Sequence, residues 1–146
     1  MQQICWPVSI SVAAPRVTVL NEEQRAIARE GGNATLRFRI DGHTPVLQQD
    51  LQWFYSLTFA EQPDIDGEEI TNRNNRTSLS MLTFSDFVND QYINLTVSKI
   101  IGVDRRNSNE TDVGRYFLTA PNQFGTGFAY ADLLVYGKQF ALWIFV

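Results

Sequence analysis

Cysteine is nearly absent from this chain: Cys5 is the only one in 146 residues. That excludes an intrachain disulfide, a multi-cysteine zinc site and a CxxC redox pair. Histidine is as scarce, with His43 alone in "DGHTP". A thiol nucleophile and its base would have to be Cys5 and His43, and no motif brings the two together. His43 reads as a solvated turn residue. Positive charge is also thin. Two lysines and ten arginines are scattered along a chain of formal net charge -4, which leaves no dense basic face for nucleic acid or an anionic membrane. Gly125-Thr126-Gly127 lacks the downstream lysine and helix start of a phosphate loop, and reads as the bend opening a strand. No enzyme activity, cofactor or small-molecule substrate is expected from these residues.

Long apolar runs are missing too. "FALWIFV", from Phe140 to Val146, has seven residues, far short of the ~20 that a membrane span needs. It reads either as the first turns of a truncated transmembrane helix, with membrane attachment beyond the C-terminus, or as a tail continuing the last strand. At the other end "ICWPVSISVAAP" has some of the apolar character of a signal peptide, but no basic residue precedes it and Pro7 interrupts it. The simplest partition is a tail or signal remnant over 1–14, one domain over 15–137 and an apolar tail over 138–146. A chain of this length buries about 68 to 70% of the surface its unfolded form exposes, enough for one core.

What is present is alternation. In "NATLRFRID" the apolar Ala34, Leu36, Phe38 and Ile40 alternate with Thr35, Arg37, Arg39 and Asp41, so one face is apolar and the other polar. "DLQWFYS" repeats the period with Leu51, Trp53 and Tyr55, "YINLTVS" with Ile93, Leu95 and Val97, and "GRYFLTA" with Tyr116, Leu118 and Ala120. Short half-buried strands separated by Gly, Asn and Asp turns indicate a sandwich. "NEEQRAIARE" has one large apolar residue, Ile27. It lacks a stripe for a helix to bury, and reads as an edge segment leading into Gly31-Gly32.

The order and phase of these strands carry a resemblance. "EGGNATLRF", "LQWFY", "DVGRYFLTAPNQFG" and "ADLLV" resemble the second, third, sixth and seventh strands of an immunoglobulin-like domain of the intermediate set. The resemblance implies an all-β fold, a two-sheet antiparallel Greek-key sandwich over residues 15 to 137. It also implies that Phe38 and Leu118 stand where most members have the inter-sheet disulfide, with Trp53 packed between them and Tyr116 as the corner tyrosine bonded back to the backbone. A bridge across the roughly 80 residues from Phe38 to Leu118 would contribute about 4.5 kcal/mol on the chain-entropy model. Burying a Phe and a Leu returns about 1.5 to 3 kcal/mol each, so an apolar pair offsets much of the missing bond. The chain departs from the intermediate set in length. The surplus falls in "TFAEQPDIDGEEITNRNNRT", where an enlarged loop or an extra edge hairpin is expected, and the subset stays open.

Function is read from the surface. If Leu51, Trp53, Tyr55, Tyr116, Leu118, Ala131, Leu133 and Val135 point inward, alternation turns Phe54, Phe117, Tyr130 and Leu134 outward. They would form an apolar partner face on the third, sixth and seventh strands. The alternatives are a bulge near Gly127 that changes the phase, or a tail folded over the face. Four sequons, at Asn33, Asn75, Asn94 and Asn109, compare with about 1.3 by chance and point outside the cell. Asp64, Asp66, Glu68 and Glu69 in "PDIDGEE" are candidate metal ligands, without the spacing of an EF-hand loop, and otherwise a solvated acidic loop. The resemblance implies a cell-surface recognition or adhesion module that binds a protein partner, homophilic or heterophilic. Because disulfide-free domains of this set also occur in giant muscle proteins, the alternative is a cytoplasmic mechanical spacer.

Overall fold

The computed structural model describes residues 13–41, 46–64, 69–70, 77–83, 91–102 and 111–136. Cys5, His43, Asp66, Glu68, Asn75, Asn109 and the tails over 1–12 and 137–146 lie outside the described residues. Among the described residues, eight strands form two four-stranded sheets. The first sheet runs β1 (Arg16–Val19), β3 (Ala34–Asp41), β6 (Gln91–Val97), β5 (Thr77–Thr83). The second runs β2 (Arg25–Arg29), β8 (Gly125–Tyr136), β7 (Gly114–Asn122), β4 (Gln52–Ser56). All neighbours are antiparallel except β2 and β8, which are parallel, with Ile27 opposite Leu134. The expected two-sheet β sandwich is found, antiparallel at every pairing except this one edge, which makes the second sheet mixed. The segment "NEEQRAIARE" supplies that edge strand.

Between β1 and β2 the chain leaves one sheet for the other, and Asn21 bridges the gap it leaves. Its Oδ1 accepts from the Arg37 amide at 2.7 Å, its Nδ2 donates to the Thr35 carbonyl at 3.0 Å, and the Leu20 amide donates to the Arg37 carbonyl. The edge of β3 thus keeps partners after β1 has turned away, as buried or half-buried backbone groups require. The turn itself runs through left-handed φ at Glu23 (55°) and Gln24 (56°), a conformation costing about 1 to 2 kcal/mol for a residue with a side chain. Later in the chain, Gly127 meets the carbonyl oxygen of Pro15 where a Cβ would stand 1.8 Å away. Only glycine allows β8 to pass so close to the start of β1.

The core lies between the sheets. Leu36, Phe38 and Ile40 of β3, Ile93, Leu95 and Val97 of β6, Trp53 of β4, Tyr116 and Leu118 of β7, and Leu133 and Val135 of β8 are all buried. These are the residues the period of two assigns inward. Phe38 and Trp53 meet edge to face with centroids 5.3 Å apart, and Leu118 is the cross-strand partner of Trp53. At the lower end, the Tyr116 hydroxyl donates to the Asp112 carbonyl at 2.6 Å, the corner geometry expected of it. Asp112 itself is buried, and its carboxylate accepts from the Ile101 amide at 2.7 Å. At the opposite end, buried Gln91 holds the Val46 backbone at both groups, 2.8 and 2.7 Å.

Phe38→Ala should cost about 3 to 5 kcal/mol through lost burial and a cavity beside Trp53. A reductant should leave the thermal midpoint unchanged, because no cysteine stands at either position. Thermal unfolding with and without dithiothreitol checks both.

Candidate protein-binding face

The register sets Phe54 opposite Phe117 and Phe117 opposite Tyr130. Three of the four expected face residues therefore form one row across β4, β7 and β8. Leu134 stands apart, further along β8 and beside Ile27 of β2. Exposure corrects the expectation for two of them. Phe54 is 4% and Phe117 1% exposed, yet neither belongs to the cluster between the sheets. They point outward as alternation requires, and are covered there. Phe117 packs against the rings of Phe128 at 6.1 Å and Tyr130 at 5.6 Å. The chain after β4 also returns to this sheet, at Ala60 and at Glu69, which bridges to Phe54. The outer face thus carries a second, thinner apolar layer, and its accessible groups are half-buried Tyr130 and Leu134 with Phe128 (40%) and Ile27 (45%).

Arg115 organises this layer. Its Nε and Nη2 donate to the two carboxylate oxygens of Asp132 at 2.8 and 3.1 Å, and its Nη1 donates to the Ala60 carbonyl at 2.9 Å. The guanidinium lies 3.8 Å from the centroid of Tyr130 and 5.7 Å from that of Phe59, within cation–π range of both. The hydrogen bonds that Arg115 donates to Asp132, and then the charge of that carboxylate, raise the Arg115 pKa, against an opposing effect of burial. Arg115 and Asp132 are cross-strand partners on the same outward phase as Phe117 and Tyr130. The signal that located the aromatic row could have located this pair, had charge been read along with apolarity.

Positions on the other sheet complete the surface. Asn33 is exposed just before β3, and its Oδ1 accepts from the Lys99 amide at 3.3 Å. Asn94, half-buried on β6, is opposite Arg37. The threonines of their two sequons, Thr35 and Thr96, are register partners with hydroxyls 3.0 Å apart. Of the acidic candidates, Asp64 and Glu69 are described, and no group of three or more metal-capable side chains occurs among the described residues. Among the same residues no helix is long and apolar enough to cross a membrane.

No family model matches the sequence, and no curated protein matches it. Solved structures do. A chimeric titin Z1Z2 carrying a KLER peptide from decorin is 24% identical over 84% of this chain and 95% of its own, with a TM-score of 0.52. Dpr2 Ig1-Ig2 in complex with DIP-Theta Ig1-Ig3 is 18% identical over 83% of this chain, at a TM-score of 0.55. The titin M10 and obscurin-like 1 Ig complex is 17% identical over 85% of this chain and 97% of its own, at 0.52.

The chain has an immunoglobulin-like fold.

At these identities the likeness shows the fold. It spans 32% of the Dpr2 chain. Two of these neighbours, Dpr2 with DIP-Theta and titin M10 with obscurin-like 1, were solved in protein complexes, and their fold is generally non-catalytic. The letters of the fold follow from the sheet order. β1, β3, β6 and β5 are strands A, B, E and D, and β4, β7 and β8 are C, F and G. The aromatic row therefore crosses the C, F and G strands.

Phe117→Ala should destabilise the immunoglobulin-like domain by about 3 to 5 kcal/mol, as for a core aromatic. Asp132→Asn should cost about 1 to 3 kcal/mol through the weakened charged hydrogen bonds. Urea denaturation of each variant measures these losses, and an effect of Phe117→Ala under 1 kcal/mol would mean that its cover is loose.

Proposed function

We propose that this domain is a non-catalytic recognition or adhesion module of a cell-surface receptor or adhesion protein, binding a protein partner through the outer face of β4, β7 and β8. The observation that carries the reading is the contrast between the two outer faces. Phe128, Tyr130, Leu134 and Ile27 offer apolar surface on one, while Asn33 and Asn94 stand on the sheet opposite. Glycans at those asparagines would shield the first sheet and leave the second bare. Aromatic anchors held by packing suit recognition, because little side-chain entropy is lost on binding. Dpr2 was solved in complex with DIP-Theta, which supports a protein partner.

A second reading, an intracellular mechanical spacer, is favoured by the apolar pair Phe38 and Leu118 in place of a bridge and by the titin neighbours. Expression in a secreting eukaryotic cell separates the two. The surface reading expects a glycosidase-sensitive mobility shift that shrinks stepwise with Asn33→Gln and Asn94→Gln, and an unshifted wild-type protein favours the spacer.

For the face itself, Phe128→Asp and Ile27→Asp should weaken association by about 1 to 3 kcal/mol and leave the fold intact, since both side chains are already partly in water. Analytical ultracentrifugation reads self-association, and binding to cells displaying a partner reads the heterophilic case. Unaltered association in both assays would remove this face from the binding site.

A further inference from the structure

We propose that the pairing of β3 with β6 closes the sequons at Asn33 and Asn94 to glycosylation. Asn94 is then modified only between its synthesis and the folding of the first sheet, whereas Asn33 is modified earlier and at any folding rate. The inference takes from the surface reading above only that the chain meets the sugar-transferring enzyme. Its geometry stands by itself.

The threonines that complete the two sequons, Thr35 and Thr96, are register partners, and their hydroxyl oxygens are 3.0 Å apart, so that one donates to the other. Each hydroxyl is thus engaged across the sheet and not along its own strand. Asn94 is half-buried on β6, in register with Arg37 of β3 and Ser80 of β5. With a neighbour on each side, β6 is held extended, and residues 94 and 96 stand about 6.6 Å apart along it. Bringing the Asn94 carboxamide up to the Thr96 hydroxyl requires a bend that both ladders resist. Asn33 is exposed in the turn before β3, and its Oδ1 accepts from the Lys99 amide, 66 residues away in sequence. That contact also waits for β6.

The hydroxyl matters because the acceptor motif is read as a unit, asparagine with Ser or Thr two residues on. In the transfer, Nδ2 of the asparagine attacks the anomeric carbon of an oligosaccharide carried on a lipid diphosphate. The N–C bond forms and the bond from that carbon to the diphosphate oxygen breaks. The lipid diphosphate leaves with the electron pair, and one Nδ2 proton passes to a base of the transferase.

Order of synthesis separates the two sites. Thr96 follows Thr35 by 61 residues, an interval of about 3 to 12 s at roughly 5 to 20 residues per second. During it the Asn33 sequon has no partner strand, since β1 reaches β3 only from Phe38 to Asp41. The Asn94 sequon emerges onto a β3 already made. Sheet proteins fold in milliseconds to seconds, so its window is the shorter of the two.

The full chain 1–146 is expressed in a secreting eukaryotic cell, and total rather than exported protein is collected. Mass spectrometry after deglycosylation in isotope-labelled water reads each site. Phe38→Ala leaves both sequons intact and should slow folding roughly fivefold when about a third of its effect is felt in the transition state. The ratio of modified to unmodified Asn94 should rise by that factor, and that of Asn33 should not move. A variant that fails to fold still reports, because modification precedes export, and it gives the largest Asn94 ratio. An unchanged Asn94 ratio, or an Asn33 ratio that rises with it, overturns the proposal. A purified oligosaccharyltransferase with a lipid-diphosphate oligosaccharide supplies the second arm. Folded, unglycosylated wild type should be modified at neither site, and the chain carrying Phe38→Asp with Leu118→Asp, unfolded by two charges in its core, at both. Modification of the folded protein, or refusal of the unfolded one, overturns the proposal. Absence of sugar at every sequon in the cell overturns the surface reading alone, since the purified reaction still decides whether folding closes the sites.

Discussion

Phe38 of the first sheet meets Trp53 of the second edge to face, and Leu118 stands beside Trp53 on the adjoining strand. In a fold that often fixes its sheets together with a covalent bridge at this level, the spacing here depends on the volume and shape of apolar side chains. Everything outside the core is referred to that spacing. The corner tyrosine reaches its carbonyl, and Gln91 clasps the Val46 backbone, only while the two sheets stand at the right separation. Packing of this kind is cooperative: interiors are dense, so the loss of one large side chain is felt by all its neighbours.

The outer face of the second sheet repeats the principle on a smaller scale. Phe117 is as buried as a core residue although no second sheet covers it. Its cover is made of neighbouring rings, with Arg115 pinned to Asp132, stacked on Tyr130 and tied to the chain that follows β4. The side chains of this surface are held by one another through these contacts. It is also narrower than its sequence suggests, since part of its apolar area is already used in holding itself together.

The alternation of Leu36, Phe38 and Ile40, of Ile93, Leu95 and Val97, and of Trp53 with Tyr55 made the strands and the inward faces legible, because period two follows directly from pleated geometry. The roles of Phe38, Leu118, Trp53 and Tyr116 were implied by the family resemblance that the order and phase of the strands carry. The burial of Phe54 and Phe117 was not legible. Alternation reports direction, and direction equals exposure only where nothing lies on top. The parallel pairing of β2 was hidden for a related reason: "RAIAR" has too little apolar content to announce a partner, and its place depends on Asn21 taking over the edge of β3. The Arg115 and Asp132 pair was spelled out in the alternating pattern, but its two members are 17 residues apart and meet only through the hairpin.

The parallel pairing of β2 with β8 has a mechanical consequence. The chain enters β2 at Arg25, opposite Asp132, and the last described residue of β8, Tyr136, is opposite Arg29. A pull on the two flanking chains therefore draws these strands past one another along their length. Their ladder carries such a load in shear, with its hydrogen bonds strained together, whereas strands drawn apart from one end would yield one bond at a time. Tension from the N-terminal side meets β1 and its pairing with β3 first, and passes from there to the five-residue ladder of β2, which has little apolar weight of its own.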